Sequence, residues 1–422
     1  MTDEDGGPVG AALELAWREH WGRLVGLVLR QTARADLAED AVADAFAAAA
    51  RTWPAAGVPT NPGGWLLTAA RRRAVDVLRS EAVHRRKEPL VLVDAQLREE
   101  AAATVDPGAH VEDERLRLIL TCCHPALAPD ARVALTLRFV VGLDVPDIAA
   151  LLLLQEPTAA ARLTRAKKRL ATTGIRLTTP PPERLEERLE AVATVLYLLF
   201  TAGYHPGPRD RGLRVDLADE AIRLTRLLDE QLPGRPTTRA LLALLLLQHS
   251  RRGSRTDADG ALVLLPDQDR SRWDHDDIDA GLTLLAGLAP TTGRAEEYRL
   301  QALIAAEHAR ATTADATRWP VIARHYAALE AHTGSPVVRL ARAVAVAEAD
   351  GPAAGLTLLD GLEALLPHHH RLPAVRAELL ARLGRREAAL ASFDRALALV
   401  RSDAERRHLT ERAAAVRAPA AP

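Results

Sequence analysis

Cysteine is nearly absent. The 422-residue chain has two, Cys122 and Cys123, side by side, which rules out a disulfide framework and implies a reducing compartment. Aromatic residues are 3% of the total, and β-branched residues are sparse beside Ala, Leu and Arg. That composition disfavours sheets and predicts an all-α protein. Long hydrophobic runs are missing as well. Leu241 to Leu247 falls far short of the roughly 18 residues that a membrane span needs, and the acidic start, Met1 to Gly7, lacks the basic and apolar parts of a signal peptide. The expectation is a cytoplasmic protein with no membrane contact. Neither sign of charge prevails: 55 Lys plus Arg face 56 Asp plus Glu. No whole-protein field steers the chain to nucleic acid, and any such preference rests on local patches.

The length suits two to four domains rather than one core, and 48% apolar with 26% charged residues is ordinary for a globular chain. Helical patterning runs from about Ala11 to Arg86, broken by Trp53 to Gly64. That break holds three prolines and three glycines and is expected to be a loop. A first helical domain is therefore placed at residues 10–88 and a polar linker at 89–110. A second helical domain follows at 111–176. The stiff Pro180-Pro181-Pro182 spacer opens a third region, 183–422.

The third region reads as stacked helical hairpins. Its clearest unit runs from Leu380 to Val400, where Gly384 separates two helices and Ala389, Phe393, Ala396 and Leu397 share one face. A shift back by 34 residues sets Gly355, Leu359 and Leu362 against Ala389, Phe393 and Ala396, and Ala343 against Ala377. The offset and the small-and-large pattern resemble tetratricopeptide repeats. Arg401 stands where that repeat usually has proline, and no equally good copy precedes residue 330.

Basic charge is concentrated in two places. From Arg71 to Lys87 there are seven cations (Arg71, Arg72, Arg73, Arg79, Arg85, Arg86, Lys87) against Asp76 and Glu81. From Thr158 to Leu170 there are Arg162, Arg165, Lys167, Lys168 and Arg169 with no acid. Such a run is often a solvated helix face, but two of them could anchor one protein at two places on a duplex. The second patch has a specific layout. Val145 to Leu152 is a short amphipathic helix, Leu153 to Pro157 a turn, and a second helix starts near Thr158 with Pro157 suited to its first turn. Ala159, Leu163 and Ala166 can pack inward, leaving Thr158, Ala161, Arg162 and Arg165 outward. This is a helix-turn-helix, whose second helix would read base edges through Arg while Lys167, Lys168 and Arg169 hold phosphates. Leu153 occupies the turn position where glycine is commonest.

The first domain offers an acidic surface instead. Asp36, Asp40 and Asp44 recur every four residues with Glu39 beside them, opposite Leu37, Ala41, Val42, Ala45, Phe46 and Ala49. Like charges at that spacing cost a few tenths of a kcal/mol each. A solvated stripe, a cap at Asp36 and a docking surface for a basic partner all fit the residues.

Other chemically suggestive groups read as structural. Cys122, Cys123 and His124 are too close together to share a tetrahedral ion and have no second pair to complete it. His368-His369-His370 reads as a solvated loop after Pro367. Asp267, Asp269 and Asp274 around Arg270 and Arg272 suit mutual ion pairing in a helix-start loop better than carboxylate catalysis. Trp65 is expected in the core. No phosphate loop or nucleophile motif is present, so neither an enzyme, a cofactor nor a metal is expected.

Several segments resemble a known family. Leu37 to Phe46 is similar to the core-polymerase-binding helix of bacterial sigma factors of the extracytoplasmic-function (ECF) class, Trp65 to Asp76 to the adjoining promoter-melting helix, and Ile148 to Ala166 to the final helix-turn-helix. Thr121-Cys122-Cys123-His124-Pro125-Ala126-Leu127, Gly203-Tyr204-His205-Pro206, Asp267 to Trp273 and Leu372 to Arg376 resemble the subgroup with a long tetratricopeptide-like C-terminal extension. The resemblance implies a sigma region 2 domain (10–88), a region 4 domain (111–176) and a regulatory extension (183–422). It makes Asp36, Glu39, Asp40 and Asp44 contacts to core polymerase, through the β′ clamp helices with the β subunit nearby. It assigns Arg71, Arg72, Arg73 and Arg79 to the minus-ten promoter element, and Thr158, Arg162, Arg165, Lys167 and Lys168 to the minus-thirty-five element. The implied activity is promoter recognition and transcription initiation, with the extension modulating it through the sigma domains, the polymerase or a further protein partner. The rival expectation is a signal-responsive helix-turn-helix regulator with a repeat-type sensor.

Overall fold

Ala- and Leu-rich segments free of β-branched runs lose little side-chain entropy as helices, and helices are what they form. The computed structural model describes residues 8–85, 111–152, 154–173, 182–204, 215–257, 263–400 and 403–418. Among these the regular structure is helical throughout, and no helix is long and apolar enough to cross a membrane. The chain divides into two units, residues 1–235 and 236–422.

The first unit begins with α1 (Pro8–Thr32), α2 (Ala35–Ala56) and α3 (Pro62–Arg85). Leu24, Val25 and Val28 of α1 pack with Leu37, Ala41, Val42, Phe46 and Ala49 of α2 and with Leu66, Ala70 and Ala74 of α3, all buried. The expected loop from 53 to 64 shrinks to residues 57–61. Helix α2 carries Pro54 inside its last turn, ending at Gly57 with φ +81°. Near a helix end the missing N–H of Pro54 loses a single bond, and the buried Trp53 ring holds the turn in place. Trp65 is half-buried, its ring edge-on to Trp53 at 5.8 Å, and Pro62 begins α3 at a position where no donor is lost.

Next come α4 (Val111–Cys122), α5 (Pro129–Thr136) with a π-helical turn to Val141, α6 (Val145–Leu151) and α7 (Glu156–Thr172). Asp144 caps α6 by accepting from Asp147 N at 2.8 Å. Ile148 and Ala149 of α6 meet Ala159, Leu163 and Ala166 of α7 in a buried seam; Leu153 lies outside the described residues. Cys122 and Cys123 are buried thiols in this core. Burial pushes Cys123 up to about 12, beside Thr136 Oγ1 at 3.8 Å. His124 Nδ1 accepts from Ala126 N at 3.1 Å.

Two further helices, α8 (Pro182–Gly203) and α9 (Val215–Gln231), also belong to the first unit. The structural boundary thus falls after Arg235, not at the residue 183 expected from the proline spacer. The cause is local: buried Arg188 donates from Nη1 to the Leu120 carbonyl at 2.6 Å, satisfying an acceptor that the last turn of α4 leaves open. Of the Gly203 to Pro206 motif, Tyr204 is buried against Phe200 at 5.1 Å; His205 and Pro206 lie outside the described residues.

The second unit starts with α10 (Pro236–His249), whose leucines 241, 242 and 244–247 are all buried. It continues with α11 (His275–Ala286), α12 (Gly293–Arg310), α13 (Trp319–Thr333), α14 (Pro336–Asp350), the short α15 (Pro352–Leu358) and α16 (Leu362–Leu365), then α17 (Arg371–Arg382), α18 (Arg386–Leu399) and α19 (Asp403–Arg417). The positions matched at a 34-residue offset (Gly355, Leu359 and Leu362, then Ala389, Phe393 and Ala396) are buried in both copies, as are Ala343 and Ala377. Gly384 leaves α17 in the left-handed conformation at φ +73°. Ion pairs spanning 34 residues tie successive hairpins: Arg382 to Glu348 at 2.5 Å and Arg412 to Glu378 at 2.7 Å.

Gly142 ends the π-helical turn at φ +85°, where a Cβ would lie 2.6 Å from Trp17 Nε1 and 2.9 Å from the Trp21 ring. Gly142→Ala combines a left-handed backbone with overpacking, and should lower unfolding stability by roughly 2–3 kcal/mol. A urea titration of the full chain reads this directly. An unchanged midpoint would contradict the packing of α1 on this turn.

Candidate functional site

The acidic helix α2 does not present its four carboxylates alike. Asp36, Asp40 and Asp44 are exposed, whereas Glu39 is buried at 5%. The sequence pattern put Glu39 on the open stripe; in the fold it turns toward the core side, one position round from Ala38. Asp36 pairs with Arg34 at 3.1 Å, and Arg34 also reaches Glu81 at 2.7 Å. Asp44 pairs with Arg73 of α3 at 2.6 Å across an exposed surface. Asp40 has no cation of its own beside it on α2. Partial burial, then Glu39, Asp36 and Asp44, hold its carboxyl above the ordinary range, with Lys167 opposing.

Glu39 is the hub of the first unit. Arg138 Nε donates to Glu39 Oε1 at 2.6 Å, and Lys167 forms an ion pair with Oε2. Arg138 also donates to Leu143 O at 2.8 Å and lies over the Trp21 ring at 5.8 Å, while Trp21 Nε1 donates to Arg138 O at 3.0 Å. A second buried carboxylate bridges in the opposite direction: Glu114 of α4, 1% exposed, meets Arg30 of α1 at 3.0 Å and Arg117 at 2.6 Å. Glycines permit the approach. A Cβ on Gly22 would sit 2.6 Å from Val140 O, and one on Gly26 would sit 3.1 Å from Glu114 O.

On α3, Arg72, Arg73 and Arg79 are exposed and Arg71 is half-buried. On α7, Thr158, Arg165 and Lys168 are exposed, while Arg162 is half-buried and pairs with Asp130 at 3.2 Å. Lys167, expected to hold phosphate, is turned into the Glu39 cluster and lies 5.9 Å from the Phe139 ring. The expected polymerase-facing helix and the expected promoter-reading helix therefore meet. Sequence reasoning missed Arg138, Glu114 and Gly142 altogether. The four-residue spacing of Gly22 and Gly26, which puts both on one helix face, was the available signal for a close contact. Asp267 to Trp273 also departs from expectation. Arg270 donates to the His308 and Ala311 carbonyls instead of pairing with aspartates, and Asp274 caps α11 through Asp277 N at 3.1 Å.

Comparison with known proteins fits this geometry. Residues 16–83 match sigma-70 region 2 and residues 117–170 match sigma-70 region 4. Residues 188–289 match a family of unknown function, DUF6596. An uncharacterised protein of Rhizobium meliloti (strain 1021) is 42% identical over 382 residues, 90% of each chain. A probable ECF RNA polymerase sigma factor, SigI of Mycobacterium tuberculosis, is 29% identical over 184 residues, taking in 43% of this chain and 60% of SigI. No solved structure matches significantly. Region 2 followed by region 4 defines a sigma factor. The chain belongs to the sigma-70 family, related to the ECF type, with a helical C-terminal extension that carries the DUF6596 match.

Repulsion along α2 opposes folding. Because the folded pKa of Asp40 is raised, its charge destabilises the native state above that pKa, and the penalty vanishes as pH falls through it. Asp40→Asn should therefore stabilise the chain by a few tenths of a kcal/mol at pH 7, with the gain fading in acid. Paired melting curves at neutral and acidic pH check this. A loss of stability at pH 7 would show that Asp40 serves the fold.

Proposed function

We propose that this sigma factor docks on core RNA polymerase through the carboxylates of α2, Asp36, Asp40 and Asp44, with Glu39 joining them only after region 4 moves away. The cations of α3, Arg71, Arg72, Arg73 and Arg79, meet the minus-ten element. Thr158, Arg162, Arg165, Lys167 and Lys168 of α7 meet the minus-thirty-five element. The polymerase surface engaged by α2 is the β′ clamp helices. The extension beyond region 4, read as tetratricopeptide-like from its 34-residue recurrence, adjusts this activity in cis. Its role is regulatory, not catalytic.

One observation carries the reading: Glu39 on the docking helix is paired with Lys167 on the promoter-reading helix. Promoter elements 25 base pairs apart lie about 85 Å apart along B-DNA at 3.4 Å per step. Regions 2 and 4 cannot be in contact and also read both elements, so the described arrangement is a closed form that opens on the polymerase. A helix-turn-helix regulator that never joins polymerase leaves the α2 stripe and the whole of region 2 without a task, and the region 2 match disfavours it.

In vitro transcription tests the function. Core polymerase plus this protein should initiate at a cognate promoter with no other sigma factor present; a gel shift of promoter DNA without initiation would favour the regulator. Gly22→Ala tests the closed form, because it touches neither proposed surface yet places a Cβ against Val140 O. It should weaken the contact between regions 2 and 4 and raise apparent affinity for core polymerase several-fold, by enlarging the competent fraction. Affinity equal to or below that of the parent, with helical content intact, would count against closure.

A further inference from the structure

We propose that the second unit contains a binding site for a small organic anion with an apolar body, walled by the Asp267–Trp273 segment and by α12. A cavity of about 380 Å³ lies there, a size usual for small-molecule sites. Leu247, Leu265, Ile304 and Leu329 give it an apolar floor, and its polar lining includes Arg251, His308 and Trp273. No Asp or Glu lines it.

Trp273 supplies the second observation. It is 4% exposed, and its Nε1 has no hydrogen-bond partner. Buried N–H groups are almost always paired, so an indole donor left open in a cavity wall is suited to an acceptor brought by a ligand. His308 Nδ1 is likewise buried without a partner. Burial first, then Arg251 and Arg270, bring the His308 pKa down to about 4, so the imidazole is neutral at pH 7 and Arg251 carries the charge of the lining. An acceptor that is also anionic satisfies both the indole and the guanidinium, while the leucines cover its hydrocarbon part.

The wall is built to hold this geometry. Arg270 covers the Trp273 ring at 4.6 Å and donates to His308 O at 2.5 Å and Ala311 O at 2.8 Å. Asp274 N donates to Ser250 O at 2.7 Å, and Arg252 clamps Asp274 at 2.6 Å and Asp277 at 2.8 Å. Trp273 is pinned between α10, α11 and α12 before any ligand arrives, which lowers the entropic cost of binding. None of this depends on the polymerase reading.

Calorimetric titration of the full-length protein with octanoate, octan-1-ol and octylammonium tests the site. Octanoate should bind saturably with one equivalent, octanol at least tenfold more weakly, and octylammonium not at all. Arg251→Met should weaken octanoate at least tenfold. Trp273→Phe keeps a ring but removes the N–H, and should weaken it about threefold or more with the melting temperature held. Should Arg251→Met fail to fold, the Trp273→Phe result and the ranking of the three probes decide. Equal affinity for all three probes, no saturable octanoate binding, or a folded Trp273→Phe that binds like the parent would overturn the proposal.

Discussion

Removing a carboxylate from water is costly unless cations and hydrogen bonds replace the lost hydration, and Glu39 meets that requirement only through residues far along the chain. Arg138 lies 99 positions away in sequence, and Lys167 lies farther still. The burial of Glu39 therefore commits region 2 to region 4, and Glu114 with Arg30 makes the same commitment from the other side. Removing one member of such a cluster leaves an uncompensated buried charge, a loss of roughly 3–5 kcal/mol. The contact is polar at its hubs and depends on glycines at its closest points, Gly22, Gly26 and Gly142. Polar contacts of this kind can be exchanged for others, because a partner that supplies replacement charges or water restores much of what is lost.

That exchange is what a sigma factor requires. A docking helix that satisfies its own carboxylate internally is shielded from adventitious basic partners, and a lysine held at a carboxylate is withheld from non-specific phosphate binding. The Asp44–Arg73 pair links the two proposed surfaces of region 2 in a weaker form, since both groups are exposed and such pairs contribute little. Polymerase and promoter thus compete with internal pairs of graded strength.

Much of this was legible in the sequence, for reasons tied to period and spacing. The helix-turn-helix could be read because Ala159, Leu163 and Ala166 follow the helical repeat, and all three are buried. The 34-residue offset picked out Ala343 and Ala377, both fully buried. Glu39 was misplaced because its partners are remote, and local periodicity carries no information about an ion pair formed across two domains. Pro54 was read as a breaker because composition cannot tell a last turn from a loop. The unit boundary was missed because Pro180 to Pro182 marks the chain's path, while Arg188 on the Leu120 carbonyl decides which helices pack together. Arg270 was expected to pair with aspartates beside it in sequence; helix α12, whose end offers open carbonyls, took it instead.

The account turns on whether regions 2 and 4 are together in the free protein and apart at a promoter. Both native cysteines are buried, so spin labels can be directed to Ala55→Cys at the exposed end of α2 and Ala171→Cys at the exposed end of α7. Electron–electron resonance should report one short distance for the free chain, and a separation greater by tens of ångströms, on the scale of about 85 Å, once core polymerase and promoter DNA are bound. A distance that is the same in both states would contradict the closed form and the role given to Glu39.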